Sequence, residues 1–293
     1  MIKESLSRKI FNVCNIIFMI VLCFLCLFPI VHILALSFSS KYVAEAGMVS
    51  LWPVDFTLDS YKFVIEKKEF FTAFMVTIKR CCVGYIVNMV LNILVAFPLS
   101  KEENELRGRK YYVAFFFITM IFNGGLIPTY ILVKSLGLLD TVWALVLPGS
   151  LSVFNMLILL NYFRSLPKEI GESAYVDGAS HWSCLLRIYL PLSMPSIATI
   201  SIYVLVGHWN EWFSGIIYMN NSMNYPLQSY LRTVVIERDI SLLAEADVFN
   251  APDVSDRTMR AAQIFVATLP ILLVYPMFQK HFVNGMKVGS VKG

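Results

Sequence analysis

Charge is what this sequence has least of. Of its 293 residues only 15% are Asp, Glu, Lys or Arg, against 57% hydrophobic, and the mean hydropathy is +0.66. That balance excludes an ordinary soluble domain with a charged surface around an apolar core. The shortage is also concentrated. Residues 10–40, 81–100, 111–133, 141–163, 188–210 and 261–279 contain no Asp, Glu, Lys or Arg. A helix needs roughly 20 apolar residues to cross the hydrocarbon core, where its backbone must bond to itself. The six windows therefore predict an all-α membrane protein with six transmembrane helices. Their bounds are expected near 10–36, 81–100, 111–133, 141–163, 192–212 and 260–280, within a single domain covering 1–293.

Other absences narrow the chemistry. No G-x-x-x-x-G-K-[S/T] loop occurs, so ATP binding of the usual kind has to come from another chain. No Ser/His/Asp or metal-ligand set converges in or beside the windows, so neither catalytic nor metal-binding residues are expected, and a membrane enzyme is disfavoured. The windows hold only two ionisable side chains, His32 and His208. A self-contained proton- or ion-coupled carrier, the competing class, usually places more such groups within its spans. Among six cysteines, Cys23 and Cys26 spell C-x-x-C inside the first window. They are read as small apolar fillers, since a metal site would want further ligands.

The first window follows Lys3, Arg8 and Lys9, as in a secretory signal. Its uncharged run is longer than the roughly 7–15 residues of a signal core and lacks a small-residue cleavage site, so it is read as an anchor. With the N-terminus inside, residues 1–9, 100–110, 164–187 and 280–293 face the cytoplasm. More than half of the 24 Lys and Arg fall in those shorter segments, which the positive-inside rule favours. Both termini are thus expected in the cytoplasm, and the formal charge of +4 needs no nucleic acid. The apolar pattern begins before Lys79 and Arg80, at Phe70, so an interfacial first turn or two is expected there, with the true span starting near Cys81. Prolines 29, 98, 128, 148, 195, 270 and 276 fall in or beside the windows; they suit kinked, moving helices, but proline is also simply commoner in membrane helices. The external segments 37–70 and 220–258 are polar and of mixed charge, and their structure is not legible.

The most informative stretch joins the fourth and fifth windows and runs from Arg164 to Pro191. Ser165 suits an N-cap and Pro167 a first helical turn, while Gly178 can adopt the left-handed conformation that ends a helix. A short helix is predicted over about 167–177, followed by a second one capped by Ser180. Gly171, Ala174 and Gly178 lie at i, i+3 and i+7, a small-residue face that another surface can approach closely. Glu172 and Asp177 place charge beside it. On composition alone the segment is equally a connector packed under the membrane domain.

This segment resembles the EAA loop of binding-protein-dependent ABC importer permeases: Glu-Ala-Ala, three residues, Gly, nine residues, Ile, one residue, Leu-Pro. Glu172, Ala174, Gly178, Ile188, Leu190 and Pro191 match at those spacings, and Asp177 and Ala179 complete the frequent Asp-Gly-Ala core. Ser173 departs from the first alanine. Shorter runs are similar to the carbohydrate-uptake group of maltose-type second permeases: Leu27-Phe28-Pro29, Gly125 to Tyr130, Gly207 to Phe213, Tyr225-Pro226-Leu227 and the tail from Gly285 to Gly293.

The resemblance implies a type I ABC importer permease fold, with Gly171, Glu172, Ser173, Ala174, Asp177, Gly178, Ala179, Ile188 and Pro191 docking a separate ATPase. Within that set the helix bearing Gly171, Ala174 and Gly178 is the expected contact, and Ile188 to Pro195 carries its movement into the fifth span. It further implies an ATPase dimer holding ATP and Mg, a second permease expected to be a different chain, an extracytoplasmic solute-binding protein, and a sugar, expected to be an oligosaccharide. Peptides, polyamines or lipid precursors are the runner-up solutes. Asn88, Asn92, Asn155, Trp209, Asn210, Trp212 and Phe213 are candidates for the substrate path. Amides are costly against lipid, and aromatic faces stack on sugar rings, although the amides could bond between helices and the aromatics could form an interfacial belt.

Overall fold

The computed structural model describes residues 6–233 and 255–289, which are helical nearly throughout, with no strand among them. Expectations for residues 1–5, for 234–254 in the second external segment, and for 290–293 at the end of the tail lie outside the described residues. The helices, in chain order, are α1 (Leu6–Ser37), α2 (Lys41–Glu45), α3 (Asp59–Glu66), α4 (Lys68–Ser100), α5 (Arg109–Ile121) and α6 (Leu126–Ser135). They continue with α7 (Val142–Gly149), α8 (Val153–Ser165), α9 (Lys168–Val176), α10 (His181–Leu192), α11 (Met194–Asn210), α12 (Phe213–Tyr218) and α13 (Asp256–Gly289). The chain divides into two compact units, Met1–Phe70 with Thr233–Leu269, and Phe71–Arg232 with Pro270–Gly293.

In the first unit, α1 presents apolar side chains around its whole circumference, with Phe11, Ile20 and Leu25 all more than half exposed. A helix that is apolar all round, yet uncovered by protein, calls for hydrocarbon as its solvent. After α1 the chain turns back on an aromatic cluster. The Phe38 ring lies 5.2 Å from that of Phe56 and 4.8 Å from that of Tyr61, and the Ser37 and Tyr61 hydroxyls are 2.7 Å apart. Ser39 fastens the same turn by accepting the Val54 N–H at 3.1 Å. These contacts join residues many positions apart, so the order of segment 37–70 was not visible in its local pattern.

The second unit is built on α4. Lys79 and Arg80 lie inside this continuous helix of 33 residues, which begins at Lys68. Arg80 tolerates that position because it is buried against partners that answer its charge, as described below. Further along, α4 packs with α8 and α11 in a core that includes Met89, Phe97, Met156, Leu159, Phe163 and Ile200. The α4–α11 crossing is closest at Gly84, where an added Cβ would stand 2.4 Å from His208 Nε2. The Tyr85 and Ser201 hydroxyls meet beside it at 3.0 Å.

Three uncharged stretches are carried by bent pairs of helices. α5 and α6 meet at 110°, α7 and α8 at 54°, and α10 and α11 at 82°. The stretch expected to form one span at 111–133 breaks at Asn123-Gly124-Gly125. Gly125 has φ +90°, and its N–H donates to Asn123 Oδ1 at 2.8 Å. α5 ends as Phe122 turns to extended backbone, and Gly125, at a positive φ that favours glycine, opens α6 while the asparagine satisfies its donor. Among the described residues, three single helices are long and apolar enough to cross a membrane, or up to six elements if each bent pair counts as one span.

The crossing yields a test. Gly84→Ala should push the His208 ring out of its bond with Asn88 and cost about 1–3 kcal/mol. Adding His208→Ala should recover part of that loss, which thermal unfolding of the detergent-solubilised protein would measure.

Candidate coupling site

The loop between α8 and α11 is ordered by local caps. Ser165 closes α8 by donating to the Tyr162 carbonyl at 2.7 Å, and Pro167 takes the N-cap position of α9 that the sequence had suggested for Ser165. At the far end Gly178 has φ +82°. The Gly178 N–H donates to Tyr175 O at 3.0 Å and the Ala179 N–H to Ala174 O at 2.9 Å. This is the paired-bond arrangement that terminates a helix with a left-handed glycine. Ser180 then caps α10 by accepting the Ser183 N–H at 3.2 Å.

The small-residue face of α9 turns inward. Gly171 and Ala174 are buried, and an added Cβ on Gly171 would meet the Tyr189 hydroxyl at 2.9 Å. The close approach anticipated for a partner at these two positions is thus made by Tyr189 of this chain. Glu172, Ser173, Val176, Asp177 and Gly178 form the outward surface, with Val176 87% exposed. Ala179 and Ile188 are half-buried and Pro191 is exposed. Within α10 the segment Leu185–Tyr189 widens into a π turn just before Pro191, which has no N–H to give to the helical ladder.

Lys101, the residue after α4, holds this loop from beneath. Its side chain is 12% exposed, and its ammonium sits 4.7 Å from the centre of the Tyr189 ring and 5.1 Å from those of Phe97 and Tyr175. It donates to the Tyr189 hydroxyl at 3.3 Å and has the Glu105 carboxylate at 3.9 Å. Burial disfavours its charge, but the two tyrosine hydroxyls outweigh that, and its pKa is raised above that of a free lysine. The Lys168–Glu102 ion pair makes a second link between the end of α4 and the start of α9. Hydrogen bonding from Lys168 lowers the Glu102 pKa, yet both groups are largely exposed and screened, so the pair adds little. A polar cavity of about 580 Å³ opens along this seam, walled by Lys101, Glu102, Arg164, Lys168 and Glu172.

The candidates for a substrate path do not form one cluster. Asn88 is buried, donating to Gly84 O at 2.9 Å and lying 3.3 Å from His208 Nε2, and Asn92 is fully buried and donates to Asn88 O at 2.7 Å. Both amide groups donate within α4, and Asn88 also reaches His208 of α11. Asn155 is buried at the first turn of α8. Trp209 is buried with its ring edge-on to Phe74 at 5.8 Å, so its faces are not presented to a solute. Asn210, Trp212 and Phe213 are exposed, although the Arg232 guanidinium already stacks 4.6 Å from the Trp212 ring.

Sequence reading missed Arg80, which is 3% exposed. It bonds Glu211 Oε2 at 2.6 Å, the Glu211 carbonyl at 3.0 Å and the Leu145 carbonyl at 3.2 Å. Glu211 in turn accepts the Ser214 N–H at 2.9 Å. One guanidinium therefore ties α4 to α7 and to the α11–α12 junction. The signal was an arginine inside an apolar pattern and a lone glutamate after Trp209-Asn210.

Apolar helices long enough to cross a membrane, with a glycine-turned pair of short helices between two of them, are what a membrane permease subunit requires. The chain belongs to the family of binding-protein-dependent transport system inner membrane components, whose model matches residues 81–288. It is similar to protein LplC of Bacillus subtilis (strain 168), with 41% identity covering 98% of this chain and 96% of that one. The polygalacturonan/rhamnogalacturonan transport system permease protein YtcP of the same organism is 36% identical, over 98% of this chain and all of its own length. Among solved structures, a crystal structure of a bacterial ABC transporter involved in import of the acidic polysaccharide alginate matches with TM-score 0.85 and 30% identity, over 96% of this chain and 100% of that one. The protein is a multi-pass inner-membrane permease of an ABC importer and is not itself an enzyme.

Removing one partner of a buried ion pair leaves the other unanswered. Arg80→Met should cost about 3 kcal/mol, less than a fully enclosed pair because Glu211 is partly exposed. The Arg80→Met, Glu211→Met double variant should be more stable than the single one. Denaturation of all three purified variants would check this.

Proposed function

We propose that this permease moves an oligosaccharide across the membrane through six spans with both termini in the cytoplasm, driven by an ATPase dimer that docks on α9. The observation that carries the docking reading is the Gly178 turn. It fixes α9 against α10 and leaves Glu172, Ser173, Val176 and Asp177 facing outward. Ile188 and Pro191 then lie on the route from the docked surface into α11. ATP and Mg belong to the ATPase, whose closure shifts the loop and exchanges inward for outward access, a rigid-body switch between two states. A second permease completes the pathway, and an extracytoplasmic binding protein delivers the solute.

The carbohydrate assignment rests on similar proteins that are named for transport of polygalacturonan and rhamnogalacturonan and for import of alginate. Exposed Asn210, Trp212 and Phe213 supply an amide and ring edges that a sugar would meet. The test is ATP hydrolysis by the purified complex with its binding protein. Neutral and uronate-containing oligosaccharides should raise the rate, and a response only to peptides or polyamines would overturn the assignment.

The turn itself supplies a second test. Nothing stands within 4 Å of a Cβ at Gly178, so a substitution is limited by backbone conformation alone. Gly178→Asn, whose side chain tolerates positive φ, should retain transport. Gly178→Val should lose it about tenfold or more, while the protein still inserts in the membrane. Uptake by vesicles holding equal amounts of each variant decides between them.

A further inference from the structure

We propose that Lys101 is a positioning residue for energy coupling: its caged ammonium locks α9 to the end of α4, so that movement of the docking helix enters α4 as well as α11. The proposal rests on the reading of α9 as the ATPase contact. Its geometry is independent of that reading.

Three helices converge on this one cation. Phe97 comes from α4, Tyr175 from α9 and Tyr189 from α10, with ring centres 4.7–5.1 Å from Nζ. Aromatic faces attract a cation through their quadrupole, and the attraction grows as water is excluded. With 12% exposure, Lys101 is nearer the desolvated case. Tyr189 also fills the space left by the missing side chain of Gly171 on α9, so cation and glycine hold the same ring from two sides. The alternative tie, Lys168–Glu102, is 71% and 51% exposed and cannot substitute for it. Tyr175 and Ala174 are adjacent on α9, one gripping Lys101 and the other buried in the core that contains Phe97 and Tyr189. Displacing α9 without displacing α4 would therefore break the cage.

The experiment uses the whole transporter with Lys101→Met, Lys101→Arg and Tyr175→Leu. Lys101→Met keeps the length of the side chain and removes its charge. It should lower uptake per ATP hydrolysed about tenfold, while the ATPase still co-purifies. Lys101→Arg restores a cation that stacks on the same rings and should recover uptake to within about threefold. Tyr175→Leu should behave like Lys101→Met. Normal uptake per ATP in Lys101→Met, or no rescue by Lys101→Arg, would overturn the proposal. Cysteines placed at Glu172 and Val176 report separately on docking. If they fail to cross-link to the ATPase in the unmodified complex, the docking reading falls, whatever the Lys101 variants do.

Discussion

The framework of the second unit depends on a single guanidinium that meets carbonyls at two breaks in helical structure. Backbone carbonyls freed at a break have no water to bond to inside a bilayer or a packed core, and each one left unanswered costs several kcal/mol. Arg80 donates to the carbonyls of Leu145, in α7, and Glu211, between α11 and α12, while its charge is balanced by the Glu211 carboxylate. A neutral side chain could not serve three acceptors in this way, and lysine lacks the planar fork that reaches them together. The charge that made Arg80 look misplaced in an apolar segment is the reason the neighbouring segments can be broken.

Other breaks are answered by side chains close at hand. Asn123 accepts the Gly125 N–H, and Thr77 accepts the Leu227 N–H at 2.7 Å. Asp140 accepts the N–H groups of Asn220 and Asn221 at 2.8 and 3.0 Å. These backbone bonds, that from Asn221 first, hold the Asp140 carboxyl below its usual pKa. Short polar residues at the ends of helices thus do what water does in a soluble protein. At the 110° bend between α5 and α6 that role falls to Asn123.

What could be read in advance was local. The uncharged windows marked the apolar helices, and Gly178 with Ser180 marked the turn between α9 and α10, because capping depends on residues within five positions of each other. What escaped was long-range. Nothing in the spacing of Gly171 and Ala174 indicated whether their small face would meet a partner or Tyr189, since both demand the same residues. Lys101 read as one more basic residue at the end of a span, until three rings from separate helices closed on it. Trp209 and Trp212 are three residues apart in a run typical of sugar permeases, yet one is buried against Phe74 and the other lies under Arg232.

Two cations, Arg80 in α4 and Lys101 just after it, also set a length. Arg80 and Lys101 bracket the uncharged stretch 81–100, and at about 1.5 Å per residue they stand about 32 Å apart along the helix, close to the thickness of a bilayer's hydrocarbon core. Each is held by groups from other parts of the fold. Arg80 is bound by Glu211 and the Leu145 carbonyl. Lys101 is held by the rings of Phe97, Tyr175 and Tyr189, the Tyr189 hydroxyl at 3.3 Å and the Glu105 carboxylate at 3.9 Å. The uncharged stretch is therefore tied at both ends to other helices, so that α4 cannot shift along its length without breaking one set of contacts or carrying those helices with it.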